Sequence, residues 1–206
     1  MIYLRGLAVI LAISLVAIFW VAPRRTLRRF DWHMFFLGVA FMLLEVKSLT
    51  TFSLLFGSTW LVNSLVFFAI LSSVLLAILV NRRLKIRRIG LFYMLLFGVL
   101  VLNLLLPPES LLLSNPVVRY VLASVLAFAP VFLANIIFTN SFRDSETADI
   151  AFASNLLGII VGGGMEYLSM LIGYNSLLIL VIVFYACAMV LRGRRNAMAS
   201  IAPESG

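Results

Sequence analysis

The chain has 206 residues, of which 64% are hydrophobic and 12% charged, and its mean hydropathy is +1.14. A soluble domain carries roughly 25% charged residues, so composition excludes an ordinary water-soluble fold. The formal net charge of +8 sits in short basic clusters between long apolar runs, which fits membrane flanks and not a nucleic-acid face. Cys187 is the lone cysteine, which rules out an intrachain disulfide and a cysteine-based metal site.

A membrane-crossing helix needs about 20 apolar residues, and seven such stretches are predicted in chain order. The first covers about 4–22 and ends at Pro23 and the cluster Arg24, Arg25, Arg28, Arg29. A cleaved signal peptide would have the reverse charge order and a shorter apolar core, so this helix is expected to be retained. The second and third helices, about 32–56 and 59–80, are joined by a tight turn at Gly57-Ser58. After the run Arg82, Arg83, Lys85, Arg87, Arg88, the fourth helix takes about 90–106 and stops at Pro107-Pro108. The fifth covers about 117–139, with Pro130 in its middle, where a missing N–H should kink it. A polar loop is expected over 140–149, then helices at about 150–172 and 176–191. In that loop Ser141 and Asp144 have capping-box spacing, and Asp144, Glu146 and Asp149 suit the positive end of the helix that follows.

Basic residues set the orientation. Placing 23–31, 81–89, 140–149 and the C-terminus on one side puts 13 of the 16 Lys and Arg there. Such residues resist translocation, so the N-terminus is expected outside and the C-terminus in the cytoplasm of a cell whose inner membrane holds the chain. Trp20, Trp32, Trp60, Tyr120 and Tyr174 fall at the ends of spans, where amphipathic rings prefer the headgroup level. His33 reads as an interfacial residue beside Trp32.

Three charges lie within the apolar runs: Glu45, Lys47 and Glu166. Charges at that depth face a bundle interior or a wet cavity, and they mark the candidate binding site. Glu45 and Lys47 are about 200° apart around a helix and cannot satisfy each other. Ser48, Thr50, Thr51 and Ser53 make the same helix polar further out. On the sixth helix Ser154, Gly158, Gly162 and Glu166 form one stripe, with Asn155 at its edge, and Gly158 and Gly162 make a GxxxG pair. The triple glycine at 162–164 weakens that helix by roughly 1 kcal/mol per residue and marks a break or hinge. The second and sixth helices are therefore expected to be neighbours, with Lys47 paired to Glu166. Asn63, Asn103, Asn135 and Asn155 read as interhelical hydrogen-bond partners. No P-loop, nucleotide fingerprint, zinc motif or nucleophile elbow occurs, and no cofactor or metal is predicted.

The runs DWHMFFLGVAFMLLEVKSLTTFSLLFGSTWLVNS (31–64) and APVFLANIIFTNSF with ASNLLGIIVGGGMEYLSMLIGYNSLLIL (129–180) carry a likeness. They resemble the membrane portion of spermidine-synthase-like multi-pass proteins of bacteria, in which an aminopropyltransferase-type domain is fused to membrane helices. Ile2-Tyr3-Leu4-Arg5 is similar to the segment where that family's chain leaves its soluble domain, and the family pattern has Thr where this chain has Val46. The 206 residues hold no counterpart of the soluble domain, so aminopropyl transfer is not carried over. The resemblance implies a membrane module, with a separately encoded enzyme or another membrane protein as its partner. From the residues alone three classes stand open: a non-enzymatic subunit or scaffold, a small transporter or channel for a cation, proton or amine lined by Glu45, Lys47 and Glu166, and an intramembrane enzyme.

Overall fold

A computed structural model of the chain describes residues 30–84, 88–106, 116–145, 147–168, 173 and 175–201, together with Gly6, Val9, Ala12, Ile13 and Val16. Those five isolated residues are helical, and the rest of the first expected helix lies outside the described residues, as do Arg24, Arg25, Arg28 and Arg29. The main elements are α1 (Trp32–Phe56), α2 (Trp60–Leu84), α3 (Ile89–Leu105), α4 (Pro116–Arg143), α5 (Ala148–Met165), a 3₁₀ turn (Glu166–Leu168) and α6 (Ser176–Ile201). Five of these helices are long and apolar enough to cross a membrane, and α3 is a shorter apolar helix. Their outer faces carry large apolar side chains such as Trp60, Phe68, Leu71, Leu75, Leu105 and Val125. The chain is an α-helical, multi-pass membrane protein.

Local chemistry explains the helix limits. Asp31 caps α1 by accepting the Met34 N–H at 3.1 Å. Gly57 ends it with a φ of 90°, a backbone conformation that side chains with a Cβ avoid, and starts the turn into α2. Several helices run past or short of the expected limits. α2 continues through Arg82 and Arg83, and α6 through Arg192 and Arg194, because long basic side chains at a span end extend a helix into the headgroup region at little cost. α4 takes in Asn140–Arg143, which were expected in a loop. Ser141 is therefore a helical residue of α4 and not a cap of α5. That helix is capped by Thr147, with no side-chain hydrogen bond. α5 stops at Met165, directly after the triple glycine, well before the expected residue 172.

α1 is the centre of the bundle and packs most extensively against α5, then α6. The α1–α5 contact runs backbone to backbone. A Cβ on Gly38 would collide with the Asn155 carbonyl oxygen and one on Gly158 with that of Phe35, while one on Gly162 would come within 2.8 Å of the Val39 oxygen. Residue numbers rise together along this contact, so the two helices are parallel. α6 runs the other way, with Phe184 stacked on Phe36 at 5.9 Å and the Ala188 oxygen bonded to His33. α4 is also antiparallel to α1, with Ser141 against His33 at one end and Ala127 opposite Ser48 further along. α2 and α3 pack on α4, where Asn135 donates to Ser73 and Asn81 donates to the Ile136 oxygen.

Because the colliding atoms at Gly158 are backbone, they cannot move aside, and overpacking of this kind costs about 1–3 kcal/mol. Gly158→Val should lower the thermal unfolding midpoint in detergent clearly. Gly163→Ala, whose Cβ meets only the flexible end of Met42 at 3.7 Å, should leave it unchanged or raise it.

Candidate functional site

Two polar regions are built inside the bundle. The first surrounds the proline of α4. Pro130 has no N–H, so the Leu126 carbonyl one turn earlier loses its helical donor. Asn103 of α3 supplies one across the helix gap, its Nδ2 donating to the Leu126 oxygen at 3.0 Å and to Val99 of its own helix at 3.0 Å. Ser48 of α1 reaches the next carbonyl, its hydroxyl 3.2 Å from the Ala127 oxygen and 3.0 Å from that of Leu44. Neighbouring side chains commonly satisfy groups freed by a proline in a membrane helix.

Beside this joint lies a narrow cavity in which a water centre has about 20 Å³ to move, enough for a single water. Lys47, Ser48, Thr51, Asn103, Pro130 and Leu178 are among the residues lining it. Lys47 is 7% exposed. The Thr51 hydroxyl donates to the Lys47 carbonyl at 2.9 Å. The cavity lining is mostly apolar, with Lys47, Ser48, Thr51 and Asn103 as its polar members, and the Ser48, Thr51 and Asn103 side chains donate to backbone oxygens.

No ion pair joins Lys47 to Glu166 among the described residues. Helix geometry gives the reason. Lys47 follows Gly38 by about two and a half turns, which turns it about 180° from the face that touches α5. It points instead to the side where α4 and α6 pack. Glu45 follows Gly38 by about two turns and shares the α5 side. Glu166 begins the 3₁₀ turn after α5 and is partly exposed. Asn155 donates to the Met34 oxygen at 3.1 Å, which ties α5 to α1 next to Gly38. Asn63 has a buried Oδ1 with no hydrogen-bond partner.

The second region closes one end of the bundle. His33, 4% exposed, lies 2.8 Å from the Ala188 oxygen through Nδ1 and 3.0 Å from Ser141 Oγ through Nε2. Arg192, 8% exposed, donates to Ser141 Oγ at 2.7 Å, to Asn140 Oδ1 at 3.0 Å and to Asp144 Oδ2 at 2.8 Å. A backbone carbonyl only accepts, so Nδ1 carries the imidazole proton. Arg192 donates to Ser141 Oγ, which also lies within hydrogen-bond distance of Nε2. Arg192 Nη2 is shared between Asn140 and Asp144, and its buried Nε has no acceptor among the described residues. A serine hydroxyl beside a histidine also begins a nucleophile–base pair, but Ser141 is fully buried and its oxygen is taken by the guanidinium. The network is a clasp joining α1, α4 and α6.

Read singly, His33 is an interfacial residue and Arg192 a basic flank, so the clasp is not visible along the chain. Two signals point toward the polar joints. Asn103 and Pro130 are a donor and a freed acceptor on consecutive spans. Ser141 and Arg192 are polar residues at those ends of α4 and α6 that must lie on the same side of a membrane.

Comparisons with profiles of protein families, with curated proteins and with solved structures return no match.

Asn103→Leu should destabilise the bundle by about 1–2 kcal/mol, since it orphans the Leu126 oxygen. Adding Pro130→Ala restores a helical donor to that oxygen, so the double variant should recover most of the loss in a thermal unfolding cycle. Ser141→Ala removes one acceptor of Arg192 and the Nε2 partner of His33 together. It should cost about 1–3 kcal/mol, read as a lower unfolding midpoint.

Proposed function

We propose that the chain is a non-enzymatic membrane module that serves as a subunit or scaffold, either of a larger membrane assembly or for a separately encoded enzyme. The observation behind this reading is the use made of the polar side chains. Ser48, Asn103, Asn135, Ser141, Asn155 and Arg192 bond to other helices and tie the bundle together. The resemblance to the membrane portion of spermidine-synthase-like proteins is in keeping with it, since that portion accompanies an enzyme domain. In this reading the chain crosses a cytoplasmic membrane seven times, with the N-terminus outside. Arg82, Arg83, Arg88, Arg143 and Arg194 are exposed near the ends of their helices, all on the side assigned to the cytoplasm.

The Lys47 cavity favours a second reading, a small transporter for a cation, proton or amine. Ser48, Thr51 and Asn103 beside a buried lysine are the polar members that would begin such a path, although the cavity has room for only a single water.

Gentle extraction from native membrane tests the choice. The module reading expects a protein partner in stoichiometric amount, and vesicles holding the purified chain should take up methylammonium no faster than empty ones. Uptake that disappears in Glu45→Gln or Lys47→Gln would establish transport instead. A fluorescent reporter fused after Gly206 should report a cytoplasmic C-terminus.

A further inference from the structure

Among the described residues three buried polar atoms near the clasp have no hydrogen-bond partner: the Tyr93 and Tyr185 hydroxyls and Arg192 Nε. Tyr93 and Tyr185 are each 1% exposed. Tyr93 of α3 lies within electrostatic reach of Arg192, and Tyr185 of α6 lies within reach of both Tyr93 and Glu45 of α1. On α6, Leu178, Tyr185 and Arg192 recur every seven residues, so they share a face. Leu178 lines the Lys47 cavity, and Arg192 belongs to the clasp. That face leads from the clasp toward the middle of the bundle, with Tyr185 about 10 Å inward of Arg192.

Buried polar atoms of a native fold are satisfied by protein or by ordered water, and a donor left bare in a low dielectric is costly. These groups come in a usable order. Arg192 Nε only donates, a tyrosine hydroxyl both donates and accepts, and an ionised Glu45 only accepts. Water between them completes a chain: Arg192 donates to a first water, which donates to Tyr93. Tyr93 then donates through water toward Tyr185, and Tyr185 toward the carboxylate. At the outer end stands Asp144, exposed and 2.8 Å from Arg192. The other titratable or charged groups on the helices that meet here are His33 and Lys47 of α1, Arg88 before α3, Arg143 of α4 and Cys187 of α6.

We propose that water bound among Tyr93, Tyr185 and Arg192 Nε forms a chain along which Glu45 exchanges its proton with the end of the bundle where Asp144 lies. A proton entering there moves by hops: each oxygen accepts one proton and releases its own, and the last hop converts the Glu45 carboxylate to the acid. Arg192 holds the first water by its oxygen and takes no part in the hops, because a guanidinium keeps its protons. A path that reaches Glu45 from one end carries nothing across the membrane, so the proposal goes beyond the module reading without opposing it.

The full chain in phosphatidylcholine vesicles serves for two measurements. Hydroxyl radicals generated from water by X-rays modify a buried ring only where water touches it. Tyr93 and Tyr185 should be modified several-fold faster than Phe52, a buried ring packed on Phe128. Dicyclohexylcarbodiimide then labels Glu45 in its acid form while the inner and outer compartments are held at different pH, with orientation read from a reporter fused after Gly206. Labelling should rise several-fold when the compartment facing Asp144 is acidified, and stay level when the other one is. Tyr185→Phe and Tyr93→Phe each keep the ring and remove the O–H, and each should erase that response. Modification of both tyrosines as slow as that of Phe52 overturns the water chain. Labelling that follows the other compartment, follows neither, or keeps its response in both Phe variants overturns the route to Glu45.

Discussion

Two helices that touch through their backbones set the position of everything else in this bundle. α1 and α5 run parallel, with Gly38 and Gly158 each lying against a carbonyl of the other helix and Gly162 against Val39. In lipid there is no hydrophobic drive between helices, so contact area, van der Waals packing and hydrogen bonds must hold them. Small residues gain all three by letting the axes come close. Once that seam is fixed, the rotation of α1 is fixed too: Gly38 and Glu45 face α5, and Lys47 faces the side where α4 and α6 pack.

The remaining helices are fastened by polar ties, each of which answers a specific unsatisfied group. Pro130 creates a carbonyl without a donor, and Asn103 supplies the donor. His33, Ser141 and Arg192 join α1, α4 and α6 through hydrogen bonds to one shared hydroxyl. Such groups are expensive to leave unpaired in a low dielectric and correspondingly effective when paired. Lys47 is buried near one small cavity, while Glu166 stands past the end of a helix that its own glycines terminate.

The same glycines that create the seam also limit it. Three in succession end α5 at Met165, while α1 runs on to Phe56 and packs there against α4, with Phe52 on Phe128.

The sequence by itself determined the class of protein, the approximate spans, the turn at Gly57, and the small-residue stripe that brings α5 to α1. These follow from composition, apolar run length and backbone freedom, all of which are local. Only the tertiary structure decided which polar residues meet. His33, Ser141 and Arg192 lie on three separate helices, Gly38 is a lone glycine with no motif around it, and Lys47 and Glu166 share a nominal depth yet point to different sides of α1. Depth can be counted along a chain, but the rotation of a helix about its axis is set by what packs against it. That rotation decides partnership, which is why the charges were legible and their neighbours were not.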